Sequence, residues 1–362
     1  MYKRSWVEVD LGQIVKNYKI CCEHLTEGQQ PMAVVKANAY GHGDVQVARI
    51  LQANGCRNFA VSNLVEGLRL RNAGITGQIL ILGFTPVQLA EELYTANITQ
   101  ALVSEEYAEA LSQSGFKVKA QFAVDTGMNR IGLDADDPEE ACRIIRKYKD
   151  SFELTGIFTH FCVADNEDEE SKVFTDGQFE KFKAVAEGVK DLELSYVHCQ
   201  NSAAGLYHEP FGTLVRFGIV LYGYRPNEPN ILPEGMKPAM VWKSSVAMVK
   251  DIKCGETVGY GRTFKASETR QIATVPTGYA DGYNRCLSNK SQVEINGKLA
   301  PVVGRVCMDQ LMVDVTGLDV KMDDEVILMG DSYGADDMAK ELGTINYEVI
   351  CDISSRVARI YK

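Results

Sequence analysis

A (β/α)8 barrel followed by a smaller, mainly β domain (class α/β plus β) is what three features of this 362-residue sequence predict. Eight short apolar runs alternate with helical patterns over about the first 230 residues, the size and rhythm of such a barrel. Four of the ten prolines then fall between 226 and 238. Past that break the chain becomes β-rich and punctuated by turn signals. Residues 1–232 are accordingly assigned to the barrel and 233–362 to the β domain. The pattern alone also admits a doubly wound sheet.

Taken in order, residues 6–10 alternate like a strand. Asp10 caps a helix whose Leu11, Ile14, Val15 and Tyr18 recur at helical spacing. The eight barrel runs are 32–35, 59–62, 78–83, 100–104, 121–126, 156–161, 196–200 and 216–221. Past the break, 242–250, 271–275, 293–297, 312–315 and 325–328 read as strands, with Asn296-Gly297 as a hairpin turn. One helix, 336–342, interrupts them. Neither internal repeats nor low-complexity tracts are present.

A formal net charge of -11 leaves no basic footprint, which excludes nucleic acid as a partner. The ten cysteines form no C-x-x-C pair and suit reduced thiols in the cytosol. No metal-ligand spacing occurs. No apolar run approaches the roughly 20 residues that span a bilayer, and no signal peptide precedes the first strand. A cytoplasmic protein is expected.

Lys36 ends the first barrel run, and a lysine there points its amine into the crevice where α/β proteins bind ligands. Desolvated, it becomes a nucleophile towards carbonyls; alone, it reads as a lysine reaching for solvent. Asp125, Arg130, His160, Asn201 and Ser202 end or follow later runs and Arg216 precedes Phe217-Gly-Ile219, positions assigned to the same end of the barrel. Singly these suit a buried histidine, a helix cap and a surface ion pair. Together, Ser202 with the Gly218 and Ile219 amides suits a phosphate. A lysine, a phosphate cradle and an arginine imply pyridoxal 5'-phosphate (PLP) held by Lys36.

These stretches resemble one family closely. Val35-Lys-Ala-Asn-Ala-Tyr-Gly-His-Gly43 is similar to the cofactor-lysine signature of the alanine racemases. The resemblance continues through Asp125-Thr-Gly-Met-Asn-Arg130, Thr159-His-Phe161, His198-Cys-Gln-Asn-Ser202 and Arg216-Phe-Gly-Ile219. It runs on through Gly259-Tyr-Gly-Arg-Thr263, Gly278-Tyr-Ala-Asp-Gly282, Cys307-Met-Asp309 and Gly343-Thr-Ile-Asn-Tyr-Glu348. It covers essentially the whole chain, in the family's order. The resemblance implies a PLP-binding barrel, a carboxyl-terminal β domain and a head-to-tail homodimer whose β domains complete each other's sites. It further implies interconversion of L and D forms of small amino acids, supplying D-amino acids for peptidoglycan precursors.

Racemisation takes a proton from one face of Cα and delivers one to the other. The resemblance assigns these tasks to Lys36 and Tyr260. A phenol ordinarily titrates near about 10, so a tyrosine base needs cationic or hydrogen-bonding neighbours; the resemblance supplies His160, with Arg216 beyond. It also implies Tyr40, Ser202, Gly218 and Ile219 as phosphate ligands and Arg216 at the pyridine nitrogen. Arg130 and Met308 fall to the substrate carboxylate, and Tyr279 to the entry. Taken without the resemblance, Tyr260 is an ordinary hairpin aromatic.

Two positions depart from the family pattern. Ala123 stands where many members carry a lysine supporting the arginine, here Arg130, so something else, such as a chloride, must hold Arg130. Ser355 stands where a tyrosine usually lines the pocket, which points to serine as well as alanine as substrate. That resembles the serine/alanine racemases of glycopeptide-resistant bacteria, which carry a membrane domain ahead of the racemase. Lys3 and Arg4 are compatible with such an arrangement. Two alternatives stand beside this reading: a decarboxylase of the same fold, disfavoured by Gly259-Tyr-Gly261, and a non-catalytic PLP-binding protein, disfavoured by the β domain.

Overall fold

The computed structural model describes residues 4–362. They form two compact units: Gln13–Ala39 with Gly43–Lys237, and residues 4–12 with 40–42 and 238–362. The first is a parallel barrel of strands β1 (Gln30–Val34), β2 (Asn58–Val61), β3 (Gln78–Ile81), β4 (Thr99–Leu102), β5 (Lys119–Asp125), β6 (Glu153–Phe158), β7 (Tyr196–His198) and β8 (Leu214–Phe217). Strands β1 to β7 pair in chain order and β8 pairs with β1. A doubly wound sheet reverses its order partway, so that alternative is excluded. Each strand is short and apolar because helices cover its outer side and layered side chains fill its inner side.

Helices follow the strands, and their starts are written in the sequence. The side chains of Asn63, Ser104, Asp137, Asp168 and Asn201 accept from the backbone N–H three residues on. Each thereby satisfies one of the donors that open a helix. The eighth run departs from expectation. Its strand stops at Phe217, and Ile219–Tyr222 form a 3-10 turn closed by Leu221 N–H donating to Gly218 O at 3.0 Å. All four residues of that turn are fully buried. A short apolar run reads the same whether strand or helical turn carries it into the core.

The barrel closes between β7 and β8 through few bonds. Thr213 N–H donates to Val197 O at 2.8 Å and Arg216 N–H to Gln200 O at 3.1 Å. At this seam Gly212 has φ +77°, and a Cβ added there would lie 2.0 Å from Val197 O. Only glycine fits.

In the second unit, a six-stranded sheet runs Lys298–Pro301, Gln292–Ile295, Glu325–Met329, Met240–Ser245, Ser5–Val9 and Ala358–Tyr361. Met248–Ile252, Arg270–Val275 and Leu311–Asp314 form a second sheet. Asn296 and Gly297 take φ 50° and 73°, the left-handed pair that a tight hairpin requires. Ser5–Val9 pairs antiparallel with Met240–Ser245 and parallel with Ala358–Tyr361. Buried Trp242 donates to Ser5 Oγ at 2.8 Å and packs on Tyr283. Helix Ala335–Leu342 stands where expected. A second helix, Asn346–Cys351, escaped the sequence reading because it is short and opens on Ile345, which offers no side-chain cap. Lys3 lies outside the described residues; Arg4 pairs with Asp281.

The seam generates a stability prediction. Gly212→Ala should lower the free energy of unfolding by about 2 kcal/mol or more, through backbone strain and the clash with Val197 O. Urea denaturation followed by circular dichroism measures it; a loss within ~0.5 kcal/mol would show that the seam is slack.

Candidate active site

The barrel part of the site is built around a buried cation. Arg216, near the end of β8 and 3% exposed, donates from Nη1 to His198 Nδ1 at 2.7 Å and His198 O at 3.3 Å. From Nη2 it donates to Thr159 O at 2.8 Å, Cys199 O at 3.0 Å and His160 Nδ1 at 3.2 Å. All five acceptors are neutral. The fifth N–H, on Nε, donates to none of the described residues. Burial pulls the guanidinium down to about 10, which leaves it charged at neutral pH. Burial, and then the Arg216 charge, hold His160 and His198 well below the usual histidine range. The charges of Arg130 and Lys36 add to this at His160. Since arginine only donates, both ring Nδ1 atoms are acceptors and both rings carry their proton on Nε2.

Ser202 opens the helix Ser202–Tyr207 and is buried; its Oγ accepts from Gly218 N–H at 2.8 Å. The hydroxyl and the amides of Gly218 and Ile219 thus lie together at the ends of β7 and β8, as the sequence predicts. Behind His160 is a polar knot that the sequence reading missed. Gln178, on the helix Glu169–Gly188, donates to Thr126 Oγ1 at 3.1 Å and His160 O at 3.3 Å. It accepts from Cys162 N–H at 3.2 Å, and Thr126 Oγ1 bonds Thr159 Oγ1 at 2.9 Å. Gln178 and both threonines are buried, so the loop carrying His160 is gripped from below.

Half-buried Lys36 follows β1 and opens a turn of unusual handedness. Ala37, Asn38, Ala39 and Tyr40 take φ of 52° to 54°. A left-handed turn costs L-residues about 1–2 kcal/mol each, so the surroundings must impose it. Glu66 does part of this: its carboxylate accepts from Ala37 N–H at 2.8 Å and Ser62 N–H at 2.8 Å. Asn38 also receives Gly43 N–H on its carbonyl at 2.8 Å and Asp44 N–H on Oδ1 at 3.2 Å. Tyr222 Oη donates to Val34 O at 2.8 Å, holding the strand end itself.

Arg130 is exposed and makes no hydrogen bond or ion pair with a described residue. Asp125 does not reach for it; Asp125 Oδ1 instead accepts from the Gly127 and Asn129 amides at 2.9 and 3.1 Å. Ala123 is buried with Ala101 and Phe158, against Leu82, Val103 and Ile131. None of the residues of that apolar cluster is anionic.

The β unit gathers the remaining predicted residues. Tyr260 is 70% exposed on a turn between Gly259 (φ 68°) and Gly261 (φ 71°). Exposed Tyr279 and Met308 are placed side by side by Tyr279 N–H to Cys307 O and Ala280 N–H to Met308 O, both 3.0 Å. Ser355 is exposed between two anchors, with Ser354 N–H on Asp281 O at 3.0 Å and Arg356 on Asp309 at 2.8 Å. Buried Asp281 also pairs with Arg4 and accepts from Gly278 N–H at 3.0 Å. Buried Tyr40 packs its ring 6.0 Å from that of Tyr347, and burial raises its phenol.

The donor set at the barrel end is cationic or neutral throughout, with hydroxyl, amide and guanidinium donors and no carboxylate among Arg216's partners. It fits a ligand with a phosphate and an aromatic ring nitrogen, which Arg216 Nε–H can meet. PLP satisfies both requirements. Among the described residues no group of side chains could hold a metal ion, and no helix is long and apolar enough to cross a membrane.

Comparison with known proteins agrees with this geometry. Residues 9–226 match the model of the alanine racemase N-terminal domain, and 239–361 that of the C-terminal domain. An alanine racemase of Clostridium perfringens is 44% identical, over 99% of this chain and 95% of its own length. That match lends no support to a preceding membrane domain. The structure of a Clostridium difficile alanine racemase superposes with TM-score 0.93 at 36% identity, covering 100% of this chain and 96% of that one. An alanine racemase from Bartonella henselae, with covalently bound pyridoxal phosphate, gives TM-score 0.88 at 29% identity, each chain fully covered.

The grip of Glu66 on the strained turn is measurable. Glu66→Ala should destabilise the protein by about 2–3 kcal/mol, the loss expected when two backbone donors lose a charged partner. Amide hydrogen exchange should quicken at Ala37 and Ser62 first. Unchanged exchange at both positions would assign the turn's conformation to other contacts.

Proposed function

The chain belongs to the alanine racemase family, and from that premise we propose how its residues divide the reaction. It is a PLP-dependent amino-acid racemase, an isomerase whose D-amino-acid product is of the kind used in peptidoglycan precursors. When bound, PLP supplies a conjugated ring that takes up the electron pair left as the α-proton departs. The observation carrying the reading is Arg216, held by five neutral acceptors with its Nε–H unused in a pocket of donors.

Lys36 and Tyr260 are the two proton carriers, one for each face of Cα. Lys36 also anchors the cofactor. Ser202 and the Gly218 and Ile219 amides receive the phosphate, with Tyr40 a further ligand. Arg216 keeps its proton and meets the ring nitrogen as a donor, so that nitrogen stays unprotonated and the ring is a weaker electron sink. Prolonged charge delocalisation, and with it transamination, is discouraged. His160 accepts from Arg216 on Nδ1 and so presents Nε2–H, a donor suited to orient the partner subunit's Tyr260. Arg130 and the Met308 amide hold the substrate carboxylate, and Tyr279 stands at the entry. The working division of the chain is a barrel and a β domain, drawn at 1–232 and 233–362 apart from the opening strand, in a head-to-tail homodimer with shared sites. Strand Ser5–Val9 packs with the β unit although it precedes the barrel.

Serine is proposed as a second substrate, after alanine. Its hydroxyl, left unpaired in an apolar pocket, would cost roughly 1–3 kcal/mol. Ser355, exposed and small where relatives of the family commonly carry tyrosine, removes most of that penalty.

Three experiments test these assignments. Borohydride reduction and peptide mapping should place a pyridoxyl adduct on Lys36; an adduct on another lysine overturns the site. Tyr260→Ala should mainly abolish abstraction from the L isomer, and mixing inactive Lys36→Ala and Tyr260→Ala chains should restore one working site per heterodimer. Exchanged mixtures that stay inactive would refute shared sites. Ser355→Tyr should raise the alanine-to-serine ratio of kcat/KM by about tenfold, equivalent to 1.4 kcal/mol. An unchanged ratio, or no serine turnover in the unmodified enzyme, would remove serine from the substrates.

A further inference from the structure

We infer that Gln121 is a positioning residue: it fixes the tautomer of His198 and, through that ring, the hydrogen bonding of Arg216. Gln121 lies within β5, fully buried between Ala120 and Phe122, where a strand running through a barrel core would ordinarily carry an apolar side chain. Its Oε1 is 2.8 Å from His198 Nε2, and His198 Nδ1 is 2.7 Å from Arg216 Nη1.

The chain of three has one consistent assignment. Arg216 has no acceptor, so His198 Nδ1 must offer a lone pair. His198 Nε2 then carries the proton and needs an acceptor, which only the amide oxygen of Gln121 can be. Turning the amide over would set an NH2 against an N–H. The amide nitrogen is left without a protein acceptor in a fully buried place. A glutamine free to choose would not strand two donors in this way; the orientation is dictated from Arg216.

The residue type matters as much as its placement. A glutamate would accept the same proton more strongly and favour the imidazolium, whose Nδ1–H would face Arg216 Nη1 as a second donor. An apolar residue would leave Nε2–H unpaired. The groups facing the ring are Arg216, Gln121 and Phe158, whose ring stacks on it at 5.3 Å and 11°. None is anionic, and the stacking keeps the ring from swinging away. With Nη1 and Nη2 committed in this manner, Arg216 has only Nε–H left for a ligand. The catalytic consequence rests on the proposed role of Arg216 at the cofactor ring; the tautomer does not.

Ring 15N NMR of the full-length protein labelled at histidine tests the inference. The chain has five histidines, and His198 is identified as the set missing from the spectrum of His198→Asn. The His198 ring should show the neutral Nε2–H pattern, unchanged from about pH 5.5 to about 9, where an ordinary histidine titrates. In Gln121→Leu the Nε2 proton should move upfield and exchange faster. In the nearly isosteric Gln121→Glu, His198 should begin to titrate within that range, and the absorption of bound PLP should become pH-dependent with it. An Nδ1–H pattern in the unmodified protein overturns the inference, and that measurement needs no variant to fold. Ring signals insensitive to both folded variants overturn it as well. A protein that shows the expected pattern but does not racemise would instead refute the proposed function.

Discussion

A buried guanidinium without a carboxylate partner is the constraint on which this barrel's working end depends. Removing a charge from water is tolerable only when hydrogen bonds replace the hydration. Around Arg216 that replacement comes from Thr159 O, His198 O, Cys199 O and two histidine nitrogens. These sit at the ends of β6 and β7, so one side chain from β8 sets the relative positions of three strand ends. The same arrangement decides chemistry. Both histidines must be neutral to serve as acceptors, and the excess positive charge draws an anionic ligand. A carboxylate partner would have stabilised Arg216 equally well and erased that attraction.

Opposite in character is the turn after Lys36, where the backbone is held in an unfavourable conformation by its surroundings. Four consecutive left-handed residues would not persist in an isolated peptide. Glu66, Asn38 and the fixed end of β1 hold them, and the result is a lysine whose backbone has few alternatives. Strain of this kind gathers where geometry matters more than stability.

Much of this was legible in the sequence, for reasons that can be traced to particular residues. Lys36 and Ser202 follow apolar runs, so strand rhythm alone brought them to one end; Arg216 opens the run read at 216–221 and reaches that end because its strand, Leu214–Phe217, starts and stops earlier. The Asn296-Gly297 turn could be read because few pairs adopt its backbone. Other features had no local signature. Ala37 and Ala39 carry no preference for a left-handed turn, which long-range partners impose. Glu66 and Gln178 look like the polar positions of ordinary amphipathic helices, and only the fold turns them towards the barrel end. Gln121 did leave a trace, a polar residue amid Ala120, Phe122 and Ala123, but a lone glutamine in a strand has many explanations. Residues 6–10 read as a strand, while the partners of the observed Ser5–Val9, Met240–Ser245 and Ala358–Tyr361, lie too far along the chain for periodicity to find.

That last pairing bears on how the molecule is made. Synthesis proceeds from the amino terminus, and domains generally fold as their residues emerge. The barrel segments become complete once Lys237 has left the ribosome, yet Ser5–Val9, made before them, waits for a neighbour that ends at Tyr361. Until that neighbour emerges, the growing chain therefore carries an early strand with an unpaired edge, the kind of surface that chaperones cover and that otherwise aggregates. Pairings between such distant segments also form slowly. Completion of the β unit therefore trails that of the barrel, even though its first strand is made before any strand of the barrel.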